Sequence, residues 1–131
     1  MSQLLIVEDD DSIRKMFVLA LTKLADIDEA AGGETALQLL GRKKYDAILL
    51  DLNMAGVDGV AVLKALEVAN ATNHGTPVFV ITAEPSVELR EQARKRSRYF
   101  ISKPVKIAVL QTLVAGVLGK SAKDAAPNRV A

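Results

Sequence analysis

Residues 45–59 read YDAILLDLNMAGVDG, an apolar run that stops on an aspartate and passes into a glycine-bearing loop. Ala47, Ile48, Leu49 and Leu50 form a short continuous apolar segment, the pattern of a strand buried on both faces. Asp51 then stands at the carboxyl end of the most hydrophobic strand in the chain. A single acid there is ordinarily a turn residue, so its meaning depends on what other side chains arrive beside it.

The flanking sequence alternates strand-like and helix-like segments. QLLIV (Gln3–Val7) is too short for a helix. After it Ile13, Met16, Phe17, Ala20, Leu21 and Leu24 recur at helical spacing, with Asp10 or Asp11 placed to cap. A weaker strand over residues 27–31 precedes Gly32-Gly33, and Ala36, Leu37, Leu39 and Leu40 mark a second helix ending near Gly41 or the lysines after it. Beyond the opening stretch, Val60, Leu63 and Leu66 mark a third helix. PVFVI, residues 77–81, is a β-branched fourth strand. A charged helix is expected over residues 86–95 and a fifth strand over 98–101. Leu110, Leu113, Val114 and Val117 mark the last helix. Five strands alternating with five helices predict an α/β domain whose parallel sheet is covered on both faces. Residues 1–119 form the expected domain, and residues 120–131, without apolar period, an expected flexible tail.

Composition narrows the chemistry. The 131 residues suffice for one domain, and half of them are hydrophobic. A net charge of +1 gives no surface-wide field for nucleic acid or a membrane. Without cysteine and with only His74 as histidine, thiolate and multi-histidine metal sites are excluded. No apolar run approaches the roughly 20 residues of a membrane helix, and the start lacks the features of a secretory signal. A cytoplasmic location is therefore expected.

In doubly wound sheets, ligands sit beyond the carboxyl ends of the strands. Those ends carry Glu8 and Asp9, then Asp51, Thr82 and Lys103. Singly, each has an ordinary explanation as a cap, a turn residue or a solvated charge. Together they place three acids, a hydroxyl and a lysine along one edge. Two like charges 4 Å apart cost roughly 4 kcal/mol at an effective dielectric near 20, so such a cluster calls for a cation. Oxygen-only ligands suit Mg²⁺. A divalent cation, a lysine and a hydroxyl in turn suit a phosphoryl group, with Asp51 as nucleophile.

LLIVEDD, ILLDLNMAGVDG, VFVITAE and FISKP, in that order and spacing, closely resemble the receiver domain of two-component response regulators. The resemblance covers about residues 3–118. It implies a flavodoxin-like sheet in the order 2-1-3-4-5 and Asp51 as phospho-acceptor for a histidine kinase or phosphotransfer protein. It further implies Mg²⁺ held by Glu8, Asp9, Asp51 and the Asn53 carbonyl. Thr82 and Lys103 match the switch hydroxyl and phosphate-binding lysine, and Phe100 the switch aromatic, without a phenolic oxygen. A cis bond at Lys103-Pro104 is implied as well. Asn53 with Glu84 resembles the pairing of short-lived, chemotaxis-type regulators. No enzymatic activity is implied beyond the chain's own phosphorylation and dephosphorylation.

Two positions depart from the family pattern. Ala55 stands where proline is usual, and RKRSR, residues 94–98, makes the turn before the fifth strand basic. The downstream partner, or a second copy in a homodimer, is expected on the fourth helix, fifth strand and fifth helix. There Arg90, Arg94, Lys95, Arg96 and Arg98 would meet acidic residues, with few exposed apolar groups nearby. Direct nucleic-acid binding is not expected, since cations near a helix C-terminus are usually solvated.

Three other readings fit less well. An aspartyl-phosphate phosphatase of the haloacid-dehalogenase type would carry an aspartate where Asn53 stands. A flavodoxin-like cofactor binder needs a phosphate-cradling loop, and VEDDDS would repel phosphate. A never-phosphorylated interaction module would have no use for the intact acidic set. The kinase, target and stimulus are not legible, nor is whether the receiver stands alone or belongs to a longer protein.

Overall fold

A computed structural model of the chain describes residues 1–54, 58–83 and 86–120. Strands β1 (Gln3–Val7), β2 (Asp26–Ala30), β3 (Ala47–Leu50), β4 (Val78–Thr82) and β5 (Tyr99–Ser102) alternate with helices α1 (Asp11–Leu21), α2 (Gly33–Arg42), α3 (Gly59–Leu66), α4 (Val87–Arg96) and α5 (Ile107–Val117). The strands form one sheet in the order β2-β1-β3-β4-β5, each neighbouring pair parallel. The predicted architecture and the observed one coincide.

Alternation along the three central strands builds two cores. Leu5, Val7, Ile48, Leu50, Val78 and Val80 face α2, α3 and α4. Leu4, Ile6, Ala47, Leu49, Phe79 and Ile81 face α1 and α5. Successive strand residues point to opposite faces, so a strand covered on both sides must be apolar throughout, as β1, β3 and β4 nearly are. The edge strands β2 and β5 are more exposed, which is why their sequence signals were weaker.

Asp10 is the cap of α1, accepting a hydrogen bond from the Ile13 amide at 2.9 Å. The helix ends at Leu21, three residues short of the periodic Leu24. Leu24 lies in the following turn, fully buried, with its amide bonded to the Leu21 carbonyl. Burial rather than helical phase explains its apolarity. Lys120, placed with the tail from sequence, packs back through its ammonium to the Leu24 carbonyl. The rest of that expected tail, residues 121–131, lies outside the described residues.

At the amino ends of the strands, buried Asn73 ties two connections together. Its amide nitrogen donates to the Leu40 and Lys43 carbonyls, both at 2.7 Å, and its oxygen accepts from the Tyr45 amide at 2.8 Å. Tyr45, itself buried, donates its hydroxyl to Asp28 at 2.6 Å, and Lys43 reaches the same carboxylate oxygen at 2.9 Å. The Tyr45 bond first and the Lys43 bond second hold Asp28 below its ordinary value of 3.8. A lowered carboxylate pKa contributes stability that is present above the unfolded value and lost as pH falls through the folded one. Tyr45→Phe is therefore expected to cost about 1 kcal/mol at neutral pH, a charged hydrogen bond discounted for the partial exposure of Asp28. The deficit, followed by urea unfolding, should shrink as the pH is taken below 3.8.

Candidate functional site

Parallel register assembles the edge predicted from sequence. Val7 pairs with Leu50, so Glu8 and Asp51 emerge side by side, and the Asp51 amide bonds the Val7 carbonyl at 3.0 Å. Across β4 and β5, Thr82 pairs with Ser102, and the Lys103 amide continues the ladder to the Thr82 carbonyl at 2.9 Å. Glu8, Asp51, Thr82 and Lys103 thus converge from four strands that are hydrogen-bonded in sequence.

The Lys103 ammonium donates to Glu8 Oε1 at 2.7 Å and lies 3.4 Å from Asp51 Oδ2. Asp51 Oδ1 accepts the Asn53 amide at 3.1 Å, which orients the carboxylate from the loop side. Lys103 and Pro104 are joined by the expected cis peptide. Glu8, Asp51 and Thr82 are buried, whereas Asp9 is exposed. One ligand oxygen from each of Glu8, Asp9 and Asp51 lies within 4.8 Å of the other two.

Burial, and then the hydrogen bond and charge of Asp51, push the Glu8 carboxyl upward; Lys103 only partly offsets them. Burial would depress Lys103, but the Glu8 hydrogen bond and the charges of Asp51 and Glu8 outweigh it and raise its pKa. One lysine therefore serves two buried acids. Glu8 Oε2 has no hydrogen-bond partner among the described residues, although it is buried. A buried carboxylate oxygen left without a donor, facing two more carboxylates, fits a hard divalent cation.

Gly59, at the start of α3, presses directly behind this loop. A β-carbon there would fall 2.6 Å from the Asp51 carbonyl oxygen and 2.6 Å from Leu52 Cα, both backbone atoms. Sequence reading also missed Arg14. Its guanidinium donates to the Glu8 carbonyl at 2.8 Å while bonding Glu29 at 3.1 Å and Asp11 at 2.6 Å, so it fixes the end of β1. A basic residue in the first turns of a helix that follows an acidic loop was the available signal.

Phe100 packs half-buried on the α4 side of the sheet. The Arg94 guanidinium lies 5.2 Å from its ring centroid and that of Arg90 5.7 Å. Their i, i+4 spacing beside an aromatic strand was legible, but its meaning needed the fold. The basic stretch does not form one surface as expected. Arg96 turns toward α3, where its Nε stands 2.6 Å from Glu67 Oε1. That pair, together with Lys95 and Arg98, lines a cavity at the amino ends of the strands. Helical geometry separates them, since residues four apart share a stripe and adjacent ones do not. Apolar groups are also more exposed than expected, with Val87 and Leu89 on α4 and Val109 on α5. Ala55 and Glu84 lie outside the described residues.

A doubly wound α/β domain with a lysine and three carboxylates at its carboxyl edge defines a phospho-accepting receiver. A family model for the response regulator receiver domain matches residues 4–115, and the chain belongs to that family. It is 33% identical over 112 residues to chemotaxis protein CheY-3 of Vibrio cholerae, covering 83% of this chain and 85% of that one. Over 126 residues it is 29% identical to the transcriptional regulatory protein AfsQ1 of Streptomyces coelicolor, covering 95% of this chain but 54% of the relative. The chain thus spans about half the length of that protein. The receiver domain of the Francisella response regulator 1452 superposes with a TM-score of 0.80 at 28% identity, covering 91% and 98% of the two chains. The receiver domain of sensor histidine kinase PA1611 from Pseudomonas aeruginosa, whose structure holds magnesium in its active site cleft, has the same fold, with a TM-score of 0.79 at 24% identity. That match covers 91% of this chain and 98% of the other. No described helix is long and apolar enough to cross a membrane.

Because Glu8 is the most buried acid of a like-charged group, Glu8→Gln is expected to stabilise the chelator-treated protein at neutral pH. The gain should be on the order of 1 kcal/mol, since Lys103 keeps Asp51 as its partner and one buried charge is removed. Thermal melting of both forms in EDTA provides the check, and an unchanged or lowered midpoint would contradict the electrostatic account.

Proposed function

We propose that Asp51 is the acceptor of a phosphoryl group delivered by a histidine kinase or a phosphotransfer protein. The observation carrying this reading is the Lys103 ammonium set between Glu8 and Asp51 at 2.7 and 3.4 Å. In the reaction an Asp51 carboxylate oxygen attacks phosphorus, the P–N bond of the phosphohistidine breaks, and the electron pair stays on the imidazole. An acyl phosphate results. The Asn53 amide holds Asp51 Oδ1, which fixes the carboxylate for in-line approach. Lys103 neutralises the incoming phosphoryl oxygens, and the Thr82 hydroxyl, at the end of the neighbouring strand, hydrogen-bonds one of them.

Glu8, Asp9, Asp51 and the Asn53 carbonyl are the groups that would hold Mg²⁺, which supplies charge neutralisation for carboxylates and phosphoryl oxygens when bound. The chain itself is a signal module acting in the cytoplasm, with no substrate beyond its own acceptor. An apolar groove of about 560 Å³ between α1 and the turn after β5 is lined by Ile13, Met16, Phe17, Pro104 and Val105 and shares Lys103 with the site. A phosphodonor seated there reaches Asp51, and adaptable Met16 suits such a contact.

For output, Thr82 moves toward the phosphoryl group and Phe100 repositions, a shift between states that the phosphate biases. The surface that reads this change is α4, β5 and α5, with Arg90 and Arg94 at its centre. Its partner is an acidic protein segment or a second copy of the chain. Asp51→Asn should abolish the acid-labile phosphate detected by intact-mass spectrometry after treatment with phosphodonor and Mg²⁺; undiminished labelling would overturn the assignment. Arg90→Glu with Arg94→Glu should leave that labelling intact and weaken partner binding at least tenfold, with a steep salt dependence in the unaltered protein.

A further inference from the structure

At the pole opposite Asp51, where α3 and α4 end and β4 and β5 begin, lies an open cavity of about 330 Å³. Its buried part is made by Leu63, Val78 and Thr76, whose hydroxyl is taken up by Lys44 and the Tyr45 carbonyl, and Leu66 and Pro77 flank them. Its rim is basic. Two helix C-termini point here, and cations near such ends ordinarily serve the exposed carbonyls. That role is already filled. Arg96 donates to the Gln92 carbonyl at 2.9 Å and pairs with Glu67; His74 Nδ1 lies 3.2 Å from the Leu66 carbonyl; Ser97 donates to the Arg94 carbonyl at 3.4 Å. Lys95 and Arg98 remain. Both line the cavity, both are exposed, and neither has an ion-pair or side-chain hydrogen-bond partner among the described residues.

We infer that this cavity binds a small phosphate-bearing molecule with a flat apolar body, in chemical terms a nucleoside phosphate. The cavity falls at the small end of ligand-sized pockets, roughly 300 to 1,000 Å³, which suits a mononucleotide. The apolar floor receives the base. Arg98, with a planar fork of donors, and Lys95, a mobile point charge, receive the phosphate. The contact of His74 Nδ1 with the Leu66 carbonyl leaves Nε2 as the ring nitrogen open to a polar group of the ligand. The site is separate from the phosphorylation edge and does not depend on Asp51.

The test is a titration of the full ¹⁵N-labelled chain with AMP, GMP and inorganic phosphate, each followed through amide shifts. AMP or GMP should produce saturable shifts at Gly75, Ser97 and Arg98, and inorganic phosphate should bind at least tenfold more weakly. Lys95→Glu with Arg98→Glu should weaken nucleotide binding at least tenfold without lowering the melting temperature, whereas Arg42→Glu, equally exposed at the end of α2, should not. No saturable nucleotide shift at these amides, phosphate binding as well as either nucleotide, or indifference to the Lys95 and Arg98 changes would each overturn the inference. Labelling of Asp51 in the same double variant reports independently on the phosphorylation reading.

Discussion

The arrangement depends on one electrostatic constraint: two buried carboxylates, Glu8 and Asp51, sharing a single ammonium. Parallel pairing of β1 with β3 forces the acids together, because Val7 and Leu50 are partners and each is followed by an acid. The apolar strands that stabilise the sheet thereby create the repulsion at its edge. Lys103 reaches the pair only because β5 ends one residue before it, beside Thr82 of β4. Removing the lysine would leave two acids in low dielectric without compensation, the costly case for buried charge. The like charges gathered at this edge are of the kind that an added cation would relieve.

Much of this was legible in the sequence, for reasons that particular residues illustrate. β1 and β3 were read with their observed bounds because strands buried on both faces leave no polar residue to blur the pattern. The carboxyl-edge residues followed from chain order alone, since each strand ends where its apolar run ends. Of Glu8 and Asp9, the resemblance implies Asp9 as the direct metal ligand and Glu8 as acting through water, without saying which is buried. Only the sheet shows that Glu8 points into protein and Asp9 into solvent.

Other readings failed where one-dimensional pattern cannot report direction. Leu24 continued the helical period past the true end of α1, because a buried turn residue and a buried helix residue are equally apolar. The basic stretch is expected as one surface, yet it divides in two: Arg90 and Arg94 lie over Phe100, while Lys95, Arg96 and Arg98 line the opposite cavity, where Arg96 pairs with Glu67. Asn73 gave no signal at all, being one polar residue in a polar loop. Its importance lies in two carbonyls and an amide of the connection from α2 to β3 that need a partner once buried.

The slight attachment of α4 has its own consequence. Among its residues only Ala93 is buried, and its other contacts include the guanidiniums over Phe100, the Arg90 hydrogen bond to Ser102 and the bridge from Arg96 to Glu67. Such contacts are individually weak, and none involves the interlocked leucines and valines beneath the sheet. Of the five helices α4 buries the fewest side chains of its own. A shift of this helix therefore uncovers little of its own hydrocarbon beyond Ala93, and the outer contour can change here at small cost to the core.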